Sequence, residues 1–327
     1  MNKTKRIALF YGGKMTKHLK LIKAAANKEK VALDLISYNQ VFFDTETLKV
    51  RLRGQKKAVD AIGDIGDYKV LFFRTTGKHW EEVDLILSEV NESQVVIDPL
   101  VKWGKPSYAC KAWQMLQLQK AGIRVPKTIY GSLWYLYEVM SNHQQGFFVG
   151  PHALRMIAGQ KKSLASILNF PVILKGSGGD RGTRVFKSET LDDLEKLVRG
   201  LRKTETEEGK RYMVQEYIEN KGDYRILVLG EKVLGVMKRT SQSVGEFRNN
   251  FSVGGKVEIS DLPEAIKVVA VKAAKVCGLS IAGVDIIYKS KEEYYVLEAN
   301  KGPQFWGFME ATKIDVPREI VNYLISL

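Results

Sequence analysis

The chain has 327 residues, 45% hydrophobic and 27% charged, which is the balance of a folded globular protein with room for two or three cores. Cys110 and Cys277 stand far apart and the four histidines are scattered, which excludes a disulfide framework and a His-rich metal site, and no apolar run reaches membrane-spanning length. The formal net charge of +14 is spread along the chain rather than blocked, so anionic small molecules or an acidic peptide are expected ahead of nucleic acid.

The first hundred residues are expected to alternate strands and helices. Arg6–Tyr11, Val31–Ile36, Lys69–Arg74 and Gln94–Asp98 read as short buried strands, with helices over Thr16–Asn27 and Trp80–Val90. That alternation predicts a small parallel, doubly wound sheet. Arg74 ends one of its strands, at the edge where such sheets gather ligands, which makes it a candidate for substrate binding. The first six residues lead into a strand rather than an apolar signal core, and with only two cysteines a reducing cytoplasm is the expected setting. A domain boundary is expected between Asp98 and Pro106. A helix from Tyr108 to Ala121, closed by Gly122, follows it. The stretch from Gly131 to Asn169 is rich in aromatics, broken by Gly146, Gly150 and Pro151, and is not assigned.

From Pro171 the pattern turns to strand, loop, strand and helix. Lys175 ends the apolar strand Pro171–Lys175, where an unpaired ammonium is costly; a phosphate partner or an internal carboxylate would each satisfy it. The loop from Gly176 to Arg184, with Gly178, Gly179 and Gly182, lets backbone amides approach an anion, although an ordinary turn has the same composition. It lacks the GK[ST] of a Walker loop and is followed by a strand, so it reads as a flap over phosphates. Thr190 caps a helix to about Lys203, with Asp193 in the capping-box position. In the strand Tyr212–Ile218, Tyr217 and Ile218 suit a flat adenine and Asp223 suits ribose hydroxyls, while a solvated turn explains the same residues. Arg225–Leu229 and Lys232–Lys238 form a hairpin. Arg248, within Gly245-Glu-Phe-Arg-Asn-Asn250, suits a phosphoryl group in transfer, as it would a bare surface.

After a helix over Leu262–Gly278, a second hairpin joins Ala282–Tyr288 to Tyr294–Asn300. A turn centred between Lys291 and Glu292 sets Asp285 opposite Glu298 and Ile287 opposite Val296. One face then carries Val284, Ile286, Tyr288, Tyr295, Leu297 and Ala299, and the other gathers Asp285, Glu298 and Asn300 with Ile287 and Val296. Opposed carboxylates about 5 Å apart repel by roughly 3 kcal/mol at an effective dielectric near 20. A hard cation such as Mg²⁺ between them, or a salt-bridging Lys or Arg, would relieve this.

Taken in order, these segments resemble the ATP-grasp ligases, most of all the RimK-like carboxylate–amine ligases. The resemblance runs from Lys111–Pro126 through the Lys175 strand and its glycine loop, Val214–Ile218, Asp223–Arg225, Gly245–Asn250 and Ala282–Asp285 to Leu297–Pro303. It implies an α/β ATP-grasp fold, α+β in its C-terminal two-thirds. A Rossmann-like N-terminal domain (1–104) would precede a linker helix with a central lid domain (105–217) and a C-terminal domain (218–327), the last two clasping ATP. It implies that Lys111 and Lys175 contact ATP phosphates, that Glu216, Tyr217 and Ile218 line the adenine pocket, and that Asp223 meets the ribose. Arg248 and Asn250 would face the γ-phosphate, and Asp285, Glu298 and Asn300 would hold one or two Mg²⁺, with Mn²⁺ as a substitute.

The activity implied is ADP-forming amide-bond synthesis through an acyl phosphate, joining a carboxylate to an amine, amino acid or peptide, for instance an acidic amino acid to a peptide or protein tail. A graspetide-type peptide-modifying ligase and a catalytically silent ATP-binding module are the alternatives, and an oligomer is compatible with either. Departures from the family pattern are Arg184 in the flap, the long segment between Pro126 and Pro171, and Lys301–Trp306 where small residues are usual. These bear on substrate choice, for which Arg74, Arg225 and the aromatic stretch between Gly131 and Asn169 are the candidates.

Overall fold

A computed structural model of the chain describes residues 6–53, 62–104, 110–137, 168–176, 184–205, 211–241 and 256–327. The expected parallel sheet is present. Strands β1 (Ile7–Tyr11), β2 (Leu33–Ser37), β6 (Val70–Phe73) and β7 (Val95–Ile97) pair in the order β2-β1-β6-β7, all parallel. Buried on both faces, β1 and β6 read as unbroken apolar runs, as parallel strands do. Helix α1 (Lys17–Lys28) begins at Thr16, whose side chain accepts from the Leu19 N–H; α2 (Trp80–Ser88) precedes β7. Unanticipated is a three-stranded antiparallel sheet of β3 (Val41–Asp44), β4 (Lys49–Arg53) and β5 (Ile62–Asp64), inserted before β6.

Helix α3 (Lys111–Lys120) leads to an antiparallel sheet ordered β10-β9-β11-β8, from β8 (Thr128–Ser132), β9 (Val172–Gly176), β10 (Val185–Ser188) and β11 (Arg211–Glu216). Strand β8 falls where no element was assigned. Helix α4 (Leu191–Thr204) carries the anticipated capping box, Thr190 accepting from the Asp193 N–H while Asp193 accepts from the Thr190 N–H. Its buried Leu194 and Val198 join Val172, Leu174, Tyr212 and Val214 in a core of their own.

The C-terminal sheet is ordered β14-β13-β12-β15-β16: β12 (Asp223–Leu229), β13 (Lys232–Thr240), β14 (Lys256–Ser260), β15 (Ile281–Tyr288) and β16 (Tyr294–Lys301). One face packs on α5 (Glu264–Val276) and α3 through Ile226, Val228, Val284, Ile286, Val296 and Ala299. The other face meets the parallel sheet. There Leu227, Leu229, Met237 and Ile281 share one core with Ile7, Leu9, Phe72 and Ile97, and with α6 (Trp306–Thr312) and α7 (Val316–Ser326). Helix α7 returns to lie along α1, its buried Ile320, Val321 and Leu324 in the same cluster as Leu19, Ile22 and Ala26.

Asp285 pairs with Glu298 as expected, but a bulge follows. Ile286 lies opposite Val296 and Ile287 opposite Tyr295, leaving Leu297 as the extra residue. The expected Ile287–Val296 pairing is therefore corrected, and Val296 turns to the helix-covered face beside Ile286. The extra residue shifts the alternation by one on the turn side and leaves Glu298 and Asn300 in place. Among the described residues no helix is long and apolar enough to cross a membrane.

Candidate functional site

The period of two puts Asp223 and Arg225 of β12 on one face, and the register extends that face across four strands. Asp223 lies opposite Arg239, Arg225 opposite Asp285, and Asp285 opposite Glu298, with Asn300 two residues further. These side chains bond to one another. Arg225 grips Asp285 in a fork, Nε donating to Oδ1 and Nη2 to Oδ2, each at 2.7 Å. Arg239 reaches both acids, its Nε 2.6 Å from Asp223 Oδ1 and its Nη2 3.0 Å from Asp285 Oδ2. The Asn300 amide donates to Glu298 Oε1 (2.9 Å) and to Asp285 Oδ2 (3.2 Å). Gly283 permits the approach, since a Cβ there would meet Pro303 at 2.9 Å and the Arg225 chain at 3.4 Å.

Two lysines from other elements complete the cluster. In α3, Gln114 inserts into the backbone of β16, Nε2 donating to the Ala299 carbonyl (3.0 Å) and Oε1 accepting from its N–H (3.4 Å). Lys111, three residues earlier on the same helix face, thereby reaches Glu298 Oε2 at 3.1 Å. Lys175 of β9 lies opposite Met213 of β11, so Gln215 is its diagonal neighbour, and its Nζ donates to Gln215 Oε1 at 2.7 Å. Gln215 in turn donates to Thr128 Oγ1.

The charges act on one another. Burial pulls the Lys175 ammonium down to about 8, with Glu298 acting against the shift and Lys111 adding to it. Burial would raise the Glu298 carboxyl, but Lys111, the Asn300 hydrogen bond, Arg225 and Lys175 hold it well below the usual carboxylate range. Asp285 and Glu298 thus have basic partners, the second of the two expected ways to relieve their repulsion. Three carboxylates (Asp223, Asp285, Glu298) face four cationic side chains (Lys111, Lys175, Arg225, Arg239), an excess of one positive charge suited to a polyanion.

The expected metal set is two carboxylates and one amide, and among the described residues no three His, Cys, Asp or Glu side chains form a metal-binding group. The donor chemistry still fits a hard ion: Asp285 and Glu298 supply anionic oxygens, and rotating the Asn300 amide about χ2 would turn its carbonyl to both. Binding would exchange the Arg225, Arg239 and Lys111 contacts for the ion.

Around the cluster, Glu216 ends β11, where its Oε1 accepts from the Asn169 N–H (2.9 Å) and lies 3.4 Å from Lys127 Nζ. The Tyr217 ring lies under Lys187, its N–H donating to the Pro171 carbonyl, and the Ile218 carbonyl accepts from Asn220. Asp223, expected at a ribose, is buried against Arg239. Arg74, expected to bind substrate, is 5% exposed and donates to the carbonyls of Gly302 (3.0 Å) and Pro303 (3.4 Å). Gly178, Gly179, Gly182, Arg248 and Asn250 lie outside the described residues. Sequence reading passed over Arg239, whose signal is its place opposite Asp223 in a hairpin that turns at Gly230-Glu231.

Residues 139–324 match the model of the RimK-like ATP-grasp domain, more than half of the chain. A probable alpha-L-glutamate ligase 2 of Hahella chejuensis is 36% identical over 165 residues, 50% of this chain and 52% of that protein. A probable alpha-L-glutamate ligase of Haemophilus influenzae is 30% identical over 239 residues, 72% of this chain and 66% of that protein. The chain spans about half the length of the first curated relatives it matches. Among solved structures, the ATP-grasp ligase PsnB complexed with a minimal precursor superposes with a TM-score of 0.65 at 17% identity, covering 98% of both chains. A RimK domain protein ATP-grasp from Sphaerobacter thermophilus gives 0.63 at 17% identity, covering 97% of this chain and 98% of that one. The fold is that of the ATP-grasp ligases, and the chain belongs to the RimK-like ATP-grasp family.

Proposed function

We propose that the protein is an ADP-forming ligase that joins a small-molecule carboxylate to an amine, amino acid or peptide acceptor through an acyl phosphate. The observation that carries this reading is the convergence of Lys111, Lys175, Arg225, Asp285, Glu298 and Asn300 in one positively biased cluster. Lys111 and Lys175 would hold the ATP phosphates. Glu216, Tyr217 and Ile218 would frame the adenine, with Asp223 at the ribose once Arg239 shifts. Asp285, Glu298 and Asn300 would hold Mg²⁺, which when bound screens the phosphate charge that opposes attack. Arg225, released from Asp285, would meet the substrate carboxylate or its phosphoryl group, and Arg248 and Asn250 are proposed at the γ-phosphate. No protein nucleophile is needed: the carboxylate oxygen attacks the γ-phosphorus, ADP leaves, and the amine then displaces phosphate. The division at residues 104 and 217 and a cytoplasmic setting are part of the same proposal.

The relatives' names make an acidic amino acid, glutamate first, the substrate to try. A second reading, modification of a precursor peptide, is supported by the likeness to PsnB with its precursor and to the macrocyclase MdnC of Microcystis aeruginosa bound to its own. Purified protein, ATP and Mg²⁺ with panels of amino acids and peptides should release ADP only when a substrate is present. Mass spectrometry separates the readings: acceptors gain glutamate residues in the first, and a precursor loses water in the second. ATP that stays bound without turnover across both panels would sink the proposal.

A further inference from the structure

Doubly wound sheets bind ligands at their carboxyl edge. Here that edge is occupied by the open end of the β15–β16 hairpin. Asp98, following β7, accepts at Oδ1 from the N–H groups of Ser280 (2.8 Å) and Ile281 (3.0 Å), which holds the start of β15. Next to it, the Leu100 N–H donates to the Gly278 carbonyl at 2.8 Å. Arg74, following β6, donates to the Gly302 and Pro303 carbonyls and so holds the segment that leaves β16. Lys301, the last residue of β16, lies opposite Ala282 and is attracted by Asp98. From α1, the His18 ring meets Phe305 edge-on at 4.5 Å, and the Lys17 ammonium sits over the Trp306 ring.

This brace is costly. Arg74 is 5% exposed and Asp98 fully buried, and Arg74 Nη1 and Asp98 Oδ2 have no hydrogen-bond partner among the described residues. Burial pulls Arg74 down to about 10, with Asp98 opposing the shift. Apolar side chains would join the same surfaces at lower cost, so what the charges add is a defined direction and length at each end of the hairpin. Asn300 is two residues from Gly302, about 7 Å along the strand, and Asp285 four from Ile281.

We propose that Arg74 and Asp98 are positioning residues for the divalent-metal site, fixing the open end of the hairpin so that Asp285 and Asn300 meet in the geometry a hard ion demands. The inference rests on the metal reading made above. Small octahedral ions tolerate little displacement of their oxygen donors, and outer partners that orient ligands set metal affinity. Arg74 is then a link between the first sheet and the metal hairpin, rather than a substrate contact.

Mn²⁺ titrations followed by electron paramagnetic resonance, with the non-hydrolysable analogue AMPPNP present, test this on the full chain. Wild-type protein should show saturable, nucleotide-dependent Mn²⁺ binding; without it the metal reading fails, and the brace with it. Arg74→Gln should weaken Mn²⁺ about 10- to 100-fold and leave metal-free AMPPNP affinity unchanged. Arg74→Lys, able to reach one carbonyl, should recover part of the loss. Asp98→Asn keeps an acceptor for β15 and should also weaken Mn²⁺, which preserves the test if Arg74→Gln does not fold. Unchanged Mn²⁺ affinity in a folded Arg74→Gln overturns the proposal; unchanged affinity with reduced turnover would return Arg74 to the substrate.

Discussion

Arg239 is the residue whose removal the structure prices most sharply. It is 3% exposed and is shared by Asp223 and Asp285, themselves 6% and 2% exposed. Replacing it with Met keeps the bulk and strands two buried carboxylates. Breaking a buried ion pair by removing one partner costs about 3–5 kcal/mol, part of which Arg225 offsets at Asp285. Native-state hydrogen exchange on peptides from β12, β13 and β15 is the assay. At 1.4 kcal/mol per decade the undiscounted cost is roughly two to three and a half orders of magnitude, so with the Arg225 offset protection there should fall by about one and a half to three, while peptides of the β8–β11 sheet stay unchanged. The loss has a pH signature. Burial already pushes the Asp223 carboxyl up despite Arg239, and more so in the variant. A carboxyl whose folded value exceeds its unfolded value near 3.9 favours the fold at low pH and disfavours it as pH rises through the folded value. The gap between variant and wild type should therefore narrow on acidification, and adding Asp223→Asn should close part of it at neutral pH. Protection reduced less than tenfold at every pH would refute the reasoning, because the network would then be worth no more than a surface ion pair.

Lys175, lowered to about 8 by burial, deprotonates in the fold while the unfolded chain keeps its proton to about 10.4. Stability should rise across that window, whereas metal-free nucleotide affinity falls as pH passes about 8. Calorimetry with AMPPNP on wild type and Lys175→Met should show the slope only in the former. In Glu298→Gln, the Mg²⁺-dependent part of the thermal shift with ATP, up to about 2.7 kcal/mol at a hundredfold excess over Kd, should vanish while the metal-free part remains. Thr190→Ala removes the cap of α4 and should cost about 1 kcal/mol in urea unfolding of the β8–β11 sheet, with nucleotide affinity unchanged.

What was legible in the chain was local. Alternation in two hairpin strands was enough to set Asp285 against Glu298, and the Thr190 cap and parallel strands followed from short-range chemistry. The bulge at Leu297 was not legible, because one extra residue leaves no trace in composition and is revealed only by which side chains the helices cover. Strand β3 escaped because the neighbouring Phe42 and Phe43 are both exposed, which breaks the alternation that marks a half-buried strand, and β5 is only three residues long. The carbonyl contacts of Arg74 were hidden for a different reason: an arginine following a parallel strand looks the same whether it awaits a ligand or meets a carbonyl 228 positions away. Arg239 lay one inference further, since finding it required both the turn and the register of its hairpin.

The seam between α1 and α7 bears on how this chain can be recombined. The first parallel sheet and α1 look transplantable, yet they pack against α7, whose Ile320, Val321 and Leu324 complete their core. A chimera that imports a relative's first sheet must also replace the eleven-residue α7 with that relative's matching segment, or the graft will meet a mismatched surface. Exchange at the front of the chain thus requires a matching exchange at the back.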